Sequence, residues 1–361
     1  MNELFDSLNT HEAEIKSEAF YIILNLYAYA GRCAITWADE IAKKLNFFGI
    51  PYELAETKQK GHATQLAEEA SEKYKVIVAA GGDGTINEVV NGLLKNSHGK
   101  SSDAVLGVIP AGLGNDFAKN LNIRSIDDAI IALQDYYAKK QNTCLIDAGS
   151  VEWFENGISQ KRYFCNNSGI GFDAHIVAIA IEKEKNREKF DYTALAFKEL
   201  FKIPAQEAKI KLISQEERKE FKTKIISLNV ALGKTTGRMI NIAPRASNSD
   251  GFFDVCLMKD ASSISRLILF PIIISGLHAH MLFLSHWVEY FDPRDRITGV
   301  NITEAQLPFQ AEGEYFGETP AYYTIMPRAI NAIYKKDEFV RQSVGEMEIR
   351  RHRCNRYVFH S

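Results

Sequence analysis

Four glycines, an aspartate and a threonine fall within the thirteen positions of GGDGTINEVVNGL (residues 81–93). An apolar run, KVIVAA, precedes them, and apolar residues recur at helical spacing from Ile86 onward. Strand, glycine turn and helix start place several backbone N–H groups around one concavity at the positive end of a helix dipole, which suits a phosphate. Gly81, Gly82 and Gly84 let the backbone approach a ligand and adopt positive φ. Thr85 and Glu88 fit the T-x-x-E capping box, so two roles stay open for them, closing the helix start or touching the ligand. Asp83 is harder to explain structurally, because an acid beside a phosphate cradle acts through a metal or a hydroxyl. The G-K-[ST] ending of a P-loop is absent.

LGVIPAGLGNDFAKNL (106–121) repeats the logic, with Gly112, Gly114 and either Asn115 or Asp116 as N-cap of a following helix. Ligands of open parallel sheets bind at the carboxyl ends of the strands. Two glycine turns at successive strand ends therefore point to a nucleotide polyphosphate held between two loops.

The elements that must position these loops are legible from periodicity. Strands are expected at 20–26, 52–58, 75–80 and 104–110, and helices at 35–50, 62–74, 86–94 and from about Asn115. That alternation predicts βαβ units and a parallel sheet covered on both faces. After about residue 145, short strand-like runs separated by turns predict an antiparallel, sandwich-like second domain. Helical insertions are expected at about 174–202 and 262–290. The division expected is an extension at 1–19, a nucleotide-binding α/β domain at 20–145, a β-rich substrate domain at 146–335 and a basic tail at 336–361.

Composition narrows the class. The chain has 361 residues, 46% hydrophobic and 25% charged, with a net charge of −3. This is the balance of a soluble globular protein, with no global basic field to collect nucleic acid. Five scattered cysteines, with no C-x-x-C pair, argue against a disulfide framework or a thiolate zinc site. His278 and His280 read as structural. The N-terminus lacks the pattern of a signal peptide. The run LILFPIIISGLHAHMLFLSHW (267–287) approaches bilayer length, but proline, glycine and three histidines interrupt it, so it reads as buried or interfacial helices. A cytoplasmic protein is expected, with peripheral contact at the inner face of the membrane left open, as is homodimerisation through edge strands. The tail carries five arginines from Arg341 onward, a weak pointer to a membrane or partner contact.

GGDGTINEVVNGL followed by GVIPAGLGNDFA resembles the diacylglycerol kinase catalytic domain family, which includes soluble bacterial lipid kinases and the sphingosine and ceramide kinases. TKQKGHA (57–63), LIDAGSV (145–151), FCNNSGIGFDA (164–174), IAPRASNSDGFFDV (242–255) and QAEGE (310–314) extend the likeness in order. The resemblance implies an NAD kinase- and phosphofructokinase-like first domain and an ATP-dependent transfer to a lipid hydroxyl. It implies ATP contacts from Asn25 to Gly31, from Thr57, from Gly81, Gly82, Asp83, Gly84, Thr85, Asn87 and Glu88, and from Gly112, Gly114, Asn115 and Asp116. It further implies Mg²⁺ at Ser247, Asp250 and Phe252, a charged network including Asp147, and Glu312 as the base that deprotonates diacylglycerol or a related lipid.

Three departures accompany the likeness. Leu26 replaces the proline that usually follows Asn25. Leu113 stands where a threonine or serine hydroxyl is usual. Glu312 replaces an aspartate, moving the carboxylate by one methylene, and leaves Glu314 as its rival for the base. Two alternatives follow, an NAD kinase-like activity on a soluble hydroxyl, and a nucleotide- or lipid-binding protein that has lost catalysis.

Overall fold

In the first lobe, apolar strands alternate with amphipathic helices. The computed structural model describes residues 16–26, 28, 36–97, 102–112, 114–186, 188–237 and 240–336; Gly31, Leu113 and the arginine-rich tail lie outside them. The lobe comprises β1 (Ser17–Leu24), a π-helical turn (Trp37–Ile41) continuing into α1 (Ala42–Phe47), β2 (Tyr52–Glu56) and α2 (His62–Lys73). There follow β3 (Tyr74–Gly81), α3 (Asp83–Asn96), β4 (Val105–Pro110), α4 (Asp116–Asn120) and α5 (Ile126–Tyr137). β1 therefore begins inside the stretch expected as an extension. The strands pair in parallel in the order β4-β3-β1-β2. β1 leads outward to β2 and β3 leads the other way to β4, so the switch point falls between the carboxyl ends of β1 and β3, where such sheets bind ligands. Ile22, Ile77, Val78 and Leu106 of the strands pack on Val89, Val90 and Leu93 of α3.

The second lobe contains β5 (Thr143–Glu155), β6 (Ile158–Phe164), β7 (Asn167–Gly171), α6 (Phe172–Lys185), α7 (Tyr192–Glu199), β8 (Gln206–Ser214), β9 (Arg218–Ala231) and β10 (Asp254–Lys259). It continues through α8 (Ser263–Ser275), β11 (Val288–Phe291), β12 (Ile297–Thr303), β13 (Pro308–Ala311), β14 (Glu314–Glu318) and β15 (Ala321–Ile333). Its strand pairs are antiparallel, around Phe164, Leu228, Val255, Phe309 and Tyr323. Of the expected insertions, 174–202 is the α6–α7 pair, whereas 262–290 is helical only through α8, then short 3₁₀ turns running into β11.

β5 and β15 cross both lobes, so the division expected at 145/146 falls inside a continuous strand. Ile146, Ala148, Ile330 and Ala332 belong to the first core, and Val151, Trp153, Ala321 and Tyr323 to the second. β15 pairs antiparallel with β5 and, at Asn331 and Ala332, in parallel with β4, which places second-lobe and first-lobe strands in one sheet. The β5–β15 register shifts between Met326 and Ile330. There the fully buried Asp147 accepts the Arg328 N–H and the Gly251 N–H, each at 2.7 Å, a charge satisfied by backbone donors.

Candidate active site

The glycine loops meet backbone to backbone. A Cβ on Gly82 would stand 3.2 Å from the Gly112 Cα, and one on Gly112 would strike the Gly82 Cα. The Ala111 N–H donates to the Gly81 carbonyl at 2.8 Å, holding the loops in register. A Cβ on Gly84 would meet nothing within 4 Å, so glycine there leaves open space where backbone can face a ligand.

Successive loop residues face different cavities. Gly82, Gly84 and Gly112 line a cavity of about 360 Å³ with Asn25, Thr57, Thr85 and Glu88. Asp83, Gly114 and Asp116 line a larger one of about 650 Å³, whose other walls are α6, the segment 188–193 and the β13–β14 turn. The same division splits the two candidate bases, with Glu314 in the smaller cavity and Glu312 in the larger. Of the loop residues expected at the nucleotide, Gly82, Gly84, Thr85, Glu88 and Gly112 gather at the smaller cavity, Asp83, Gly114 and Asp116 line the larger one with Glu312, and Gly81, Asn87 and Asn115 line neither.

Glu312 and Gly313 both have positive φ (55° and 79°), the two-residue turn that joins β13 to β14. The turn aims the Glu312 carboxylate back at the start of β7, where Oε1 accepts the Cys165 and Asn166 N–H groups, both at 2.7 Å. Burial pushes the Glu312 carboxyl up to about 7, against the pull of these N–H groups and with help from the charge of Asp83. A carboxylate poised there suits a general base at neutral pH. Glu314 is differently occupied, paired with Lys60 at 3.1 Å and with Arg162 at 3.3 Å.

Asp83 links the loops. Its Oδ1 accepts the Phe117 N–H at 3.1 Å, and burial raises its carboxyl against that bond. Asn115, in left-handed conformation, precedes α4 as N-cap but turns its side chain onto its own loop, accepting from the Gly112 N–H at 2.9 Å and donating to the Gly112 carbonyl at 3.0 Å.

The T-x-x-E capping box does not form. α3 starts at Asp83, with Gly82 as N-cap and no side-chain cap, two residues before Thr85. Both side chains are taken by tertiary partners instead. Thr85 accepts from the Asn25 amide at 2.9 Å, and the Glu88 carboxylate accepts the Gly61 and Ala63 N–H groups at 2.8 and 3.1 Å, capping α2. Asn87 lines neither cavity; its amide donates to the Tyr163 carbonyl and accepts from Arg162, both at 3.0 Å.

Ser247, Asp250 and Phe252 lie on the loop that Asp147 fixes from two sides, by accepting the Gly251 N–H and by donating its own N–H to the Asn248 carbonyl at 2.7 Å. Among the described residues no three His, Cys, Asp or Glu side chains converge as metal ligands. One carboxylate with backbone oxygens nonetheless fits a hard cation that keeps part of its water shell. The half-buried Asp250 carboxyl is raised by burial, a cost that a cation there would relieve. None of the three residues lines either cavity. Asp147 lines neither cavity either; its charge, like that of Glu312, helps raise the buried Cys165 thiol.

Lys60, Arg162, Asp173, Asn167 and Gln310 escaped the sequence reading as site residues. Four of them lie inside stretches singled out there: Lys60 reaches the smaller cavity from the β2–α2 connection, and Asn167, Asp173 and Gln310 line the larger one, whereas Arg162 on β6 lines neither and meets Glu314. Gln310 crosses one wall of the larger cavity, donating from Nε2 to Asp173 at 2.6 Å and accepting at Oε1 from the Gly313 N–H at 2.8 Å. Burial lifts the Asp173 carboxyl to about 6 despite that bond.

Residues 19–148 match the diacylglycerol kinase catalytic domain, and residues 167–334 match the YegS C-terminal NAD kinase beta sandwich-like domain. The chain is 30% identical over 275 residues, 73% of its own length and 83% of the relative's, to YtlR of Bacillus subtilis, named as a candidate lipid kinase. It is 29% identical over 286 residues to a diacylglycerol kinase of the same bacterium, covering 77% of this chain and 84% of that one. A solved diacylglycerol kinase structure from Bacillus anthracis superposes with a TM-score of 0.63 at 20% identity, over 88% of this chain and 97% of that one. The chain belongs to the diacylglycerol kinase catalytic domain family, and so to the lipid kinases.

Proposed function

We propose that this protein transfers the γ-phosphate of ATP to the hydroxyl of diacylglycerol or a closely related lipid. The observation that supports it best is the shared wall, with a glycine-lined cavity on one side, a larger cavity on the other, and Asp83 and Glu312 facing the second. ATP binds in the smaller cavity, its phosphates against the N–H groups of the loops at 81–85 and 110–116, with Asn25 and Thr57 beside them. The lipid hydroxyl enters the larger cavity. Glu312 takes its proton as the oxygen bonds to the γ-phosphorus and the bridging bond to the β-phosphate breaks, releasing ADP. Asp250, with the carbonyls of Ser247 and Phe252, would hold Mg²⁺, which would supply positive charge to the site.

A lipid acceptor must be met at a membrane, and α8 offers the surface. Ile264, Leu267, Ile268 and Pro271 form one stripe of the helix, with Ile264 74% and Ile268 57% exposed. The only charged residue between 262 and 284, Arg266, is buried and donates to the carbonyls of Ala261, Leu200 and Ile203, tying α8 to the end of α7. Phe197 of α7 stacks edge-on to Phe270 of α8, and Tyr192 at the start of α7 lines the acceptor cavity. α7 thus links the helix that bears the apolar stripe to the acceptor cleft, and a bilayer surface is the partner that fits both. No helix among the described residues is long and apolar enough to cross a membrane, and use of ATP puts the contact at the cytoplasmic face.

The test is transfer of labelled γ-phosphate into organic-extractable material from a panel of diacylglycerol, monoacylglycerol, sphingosine, ceramide and phosphatidylglycerol in mixed micelles, with Glu312→Gln as control. Label in one lipid, lost in the variant, is the expected result. Label in none of them overturns the reading.

A further inference from the structure

At the inner end of the larger cavity, Asn167, Gln310 and Asp173 form a polar floor. Asn167 and Gln310 are each only 2% exposed. Their amide orientations are fixed in sequence by their partners. Because the Gln310 oxygen accepts the Gly313 N–H, its nitrogen must face Asp173 and, at 3.4 Å, the Asn167 oxygen. The Asn167 nitrogen is therefore turned the other way, and among the described residues it meets no acceptor.

On β9, Asn229 pairs with Gly169 while Asn167 pairs with Ala231, which puts the two asparagines on one face as diagonal neighbours. The Asn229 oxygen is buried without a donor. Gly169 lies between them in the pattern, and any side chain there would occupy the position of the Asp173 carboxylate. An orphaned donor, an orphaned acceptor and a carboxylate thus share one buried face, and buried polar groups left open call for a partner.

The floor is one hydrogen bond from the base, since the Glu312 N–H donates to the Asn167 carbonyl at 3.0 Å. A group reaching it would sit beside the reacting hydroxyl. The walls set the charge of that group. Asp83, Asp116, Asp173, Glu184, Glu188 and Asp191 line the cavity with Glu312, against Lys189 as the one cation there among the described residues, and a field of that sign repels an anionic acceptor.

We propose that Asn167, supported by Asp173 and Gln310, is a specificity residue that hydrogen-bonds a second oxygen of the acceptor, on the carbon next to the one that carries the reacting hydroxyl. The class selected is an uncharged lipid with neighbouring oxygen functions, an ester carbonyl or hydroxyl beside the free hydroxyl. Single-hydroxyl alcohols and lipids bearing a phosphate are refused. The inference rests on the lipid-kinase reading and deepens it.

The test compares dioctanoylglycerol with a long-chain primary alcohol in mixed micelles, for the wild type and Asn167→Val, measuring KM, kcat and the KM for ATP. A site built to pair a polar group rejects substrates lacking it, so the wild type should prefer the diacylglycerol by about 100-fold or more. Asn167→Val should raise the diacylglycerol KM by about tenfold, the equivalent of one lost hydrogen bond, with the KM for ATP unchanged and the preference over the alcohol reduced. A kinase that is active but has the same preference in the variant overturns the floor while sparing the function. Calorimetric titration of soluble dihexanoylglycerol covers the case in which no lipid is phosphorylated. Binding that is lost in Asn167→Val then supports the floor alone, and absence of binding, or binding indifferent to the substitution, overturns it.

Discussion

The Asp83 carboxylate accepts the Phe117 N–H at 3.1 Å, so a side chain of the first glycine loop holds the helix that follows the second. The same carboxylate lines the larger cavity and helps raise the Glu312 carboxyl by its charge. Asp83→Asn separates the two roles, because the amide oxygen can still accept from Phe117 while the charge is gone. The expected outcome is a kcat lower by about 100-fold or more, the scale of a lost electrostatic contact in the transition state, with the Tm lower by only a few degrees. Turnover equal to wild type would reduce Asp83 to a helix cap.

Glu312 sets the pH dependence. The base works unprotonated, so kcat/KM should rise with pH through about 7 and level above it. A profile that is flat between pH 6 and 8 would remove Glu312 from the role.

Stability should run the opposite way. Between about 4.5 and about 7 the unfolded chain has released a proton that folded Glu312 retains, so stability falls as pH rises through that window. Glu312→Gln removes the effect while leaving an oxygen for the Cys165 and Asn166 N–H groups. At pH 8 it should be more stable than wild type by on the order of 1–2 kcal/mol, the full shift being discounted because the cleft opens to solvent. The gain should vanish near pH 5 in paired thermal melts.

Glu88 is expected to act on the fold. Its carboxylate is the acceptor for two N–H groups at the start of α2. Glu88→Ala should cost ~2 kcal/mol, the loss of a helix cap in a buried setting, read as a lower denaturation midpoint with unchanged m. A variant as stable as wild type would mean that solvent replaces the carboxylate freely.

The glycine loops were readable because strand, turn and helix are local patterns, and the parallel sheet follows from their alternation. The T-x-x-E reading failed for a tertiary reason. Asn25 and the start of α2 compete for Thr85 and Glu88, and the helix starts three residues earlier than expected. Glu312 and Glu314 could not be ranked from sequence, because only the positive-φ turn between them sends one carboxylate to each cavity. Arg162 and Lys60 lie 152 and 254 residues from Glu314 along the chain, and no periodicity joins residues that only sheet pairing brings together.

The α8 face makes the last prediction. Leu267 and Ile268 are 51% and 57% exposed and touch neither cavity. Burying two such side chains in a bilayer interface contributes a few kcal/mol at most, enough to govern membrane partitioning. Leu267→Glu with Ile268→Glu should weaken cosedimentation with phosphatidylglycerol vesicles containing diacylglycerol by about tenfold or more. Because Arg266 still anchors the helix through three carbonyls, turnover of micelle-free dihexanoylglycerol should persist while turnover on vesicles falls. Equal vesicle binding by the variant and the wild type would mean that the apolar stripe faces something other than lipid.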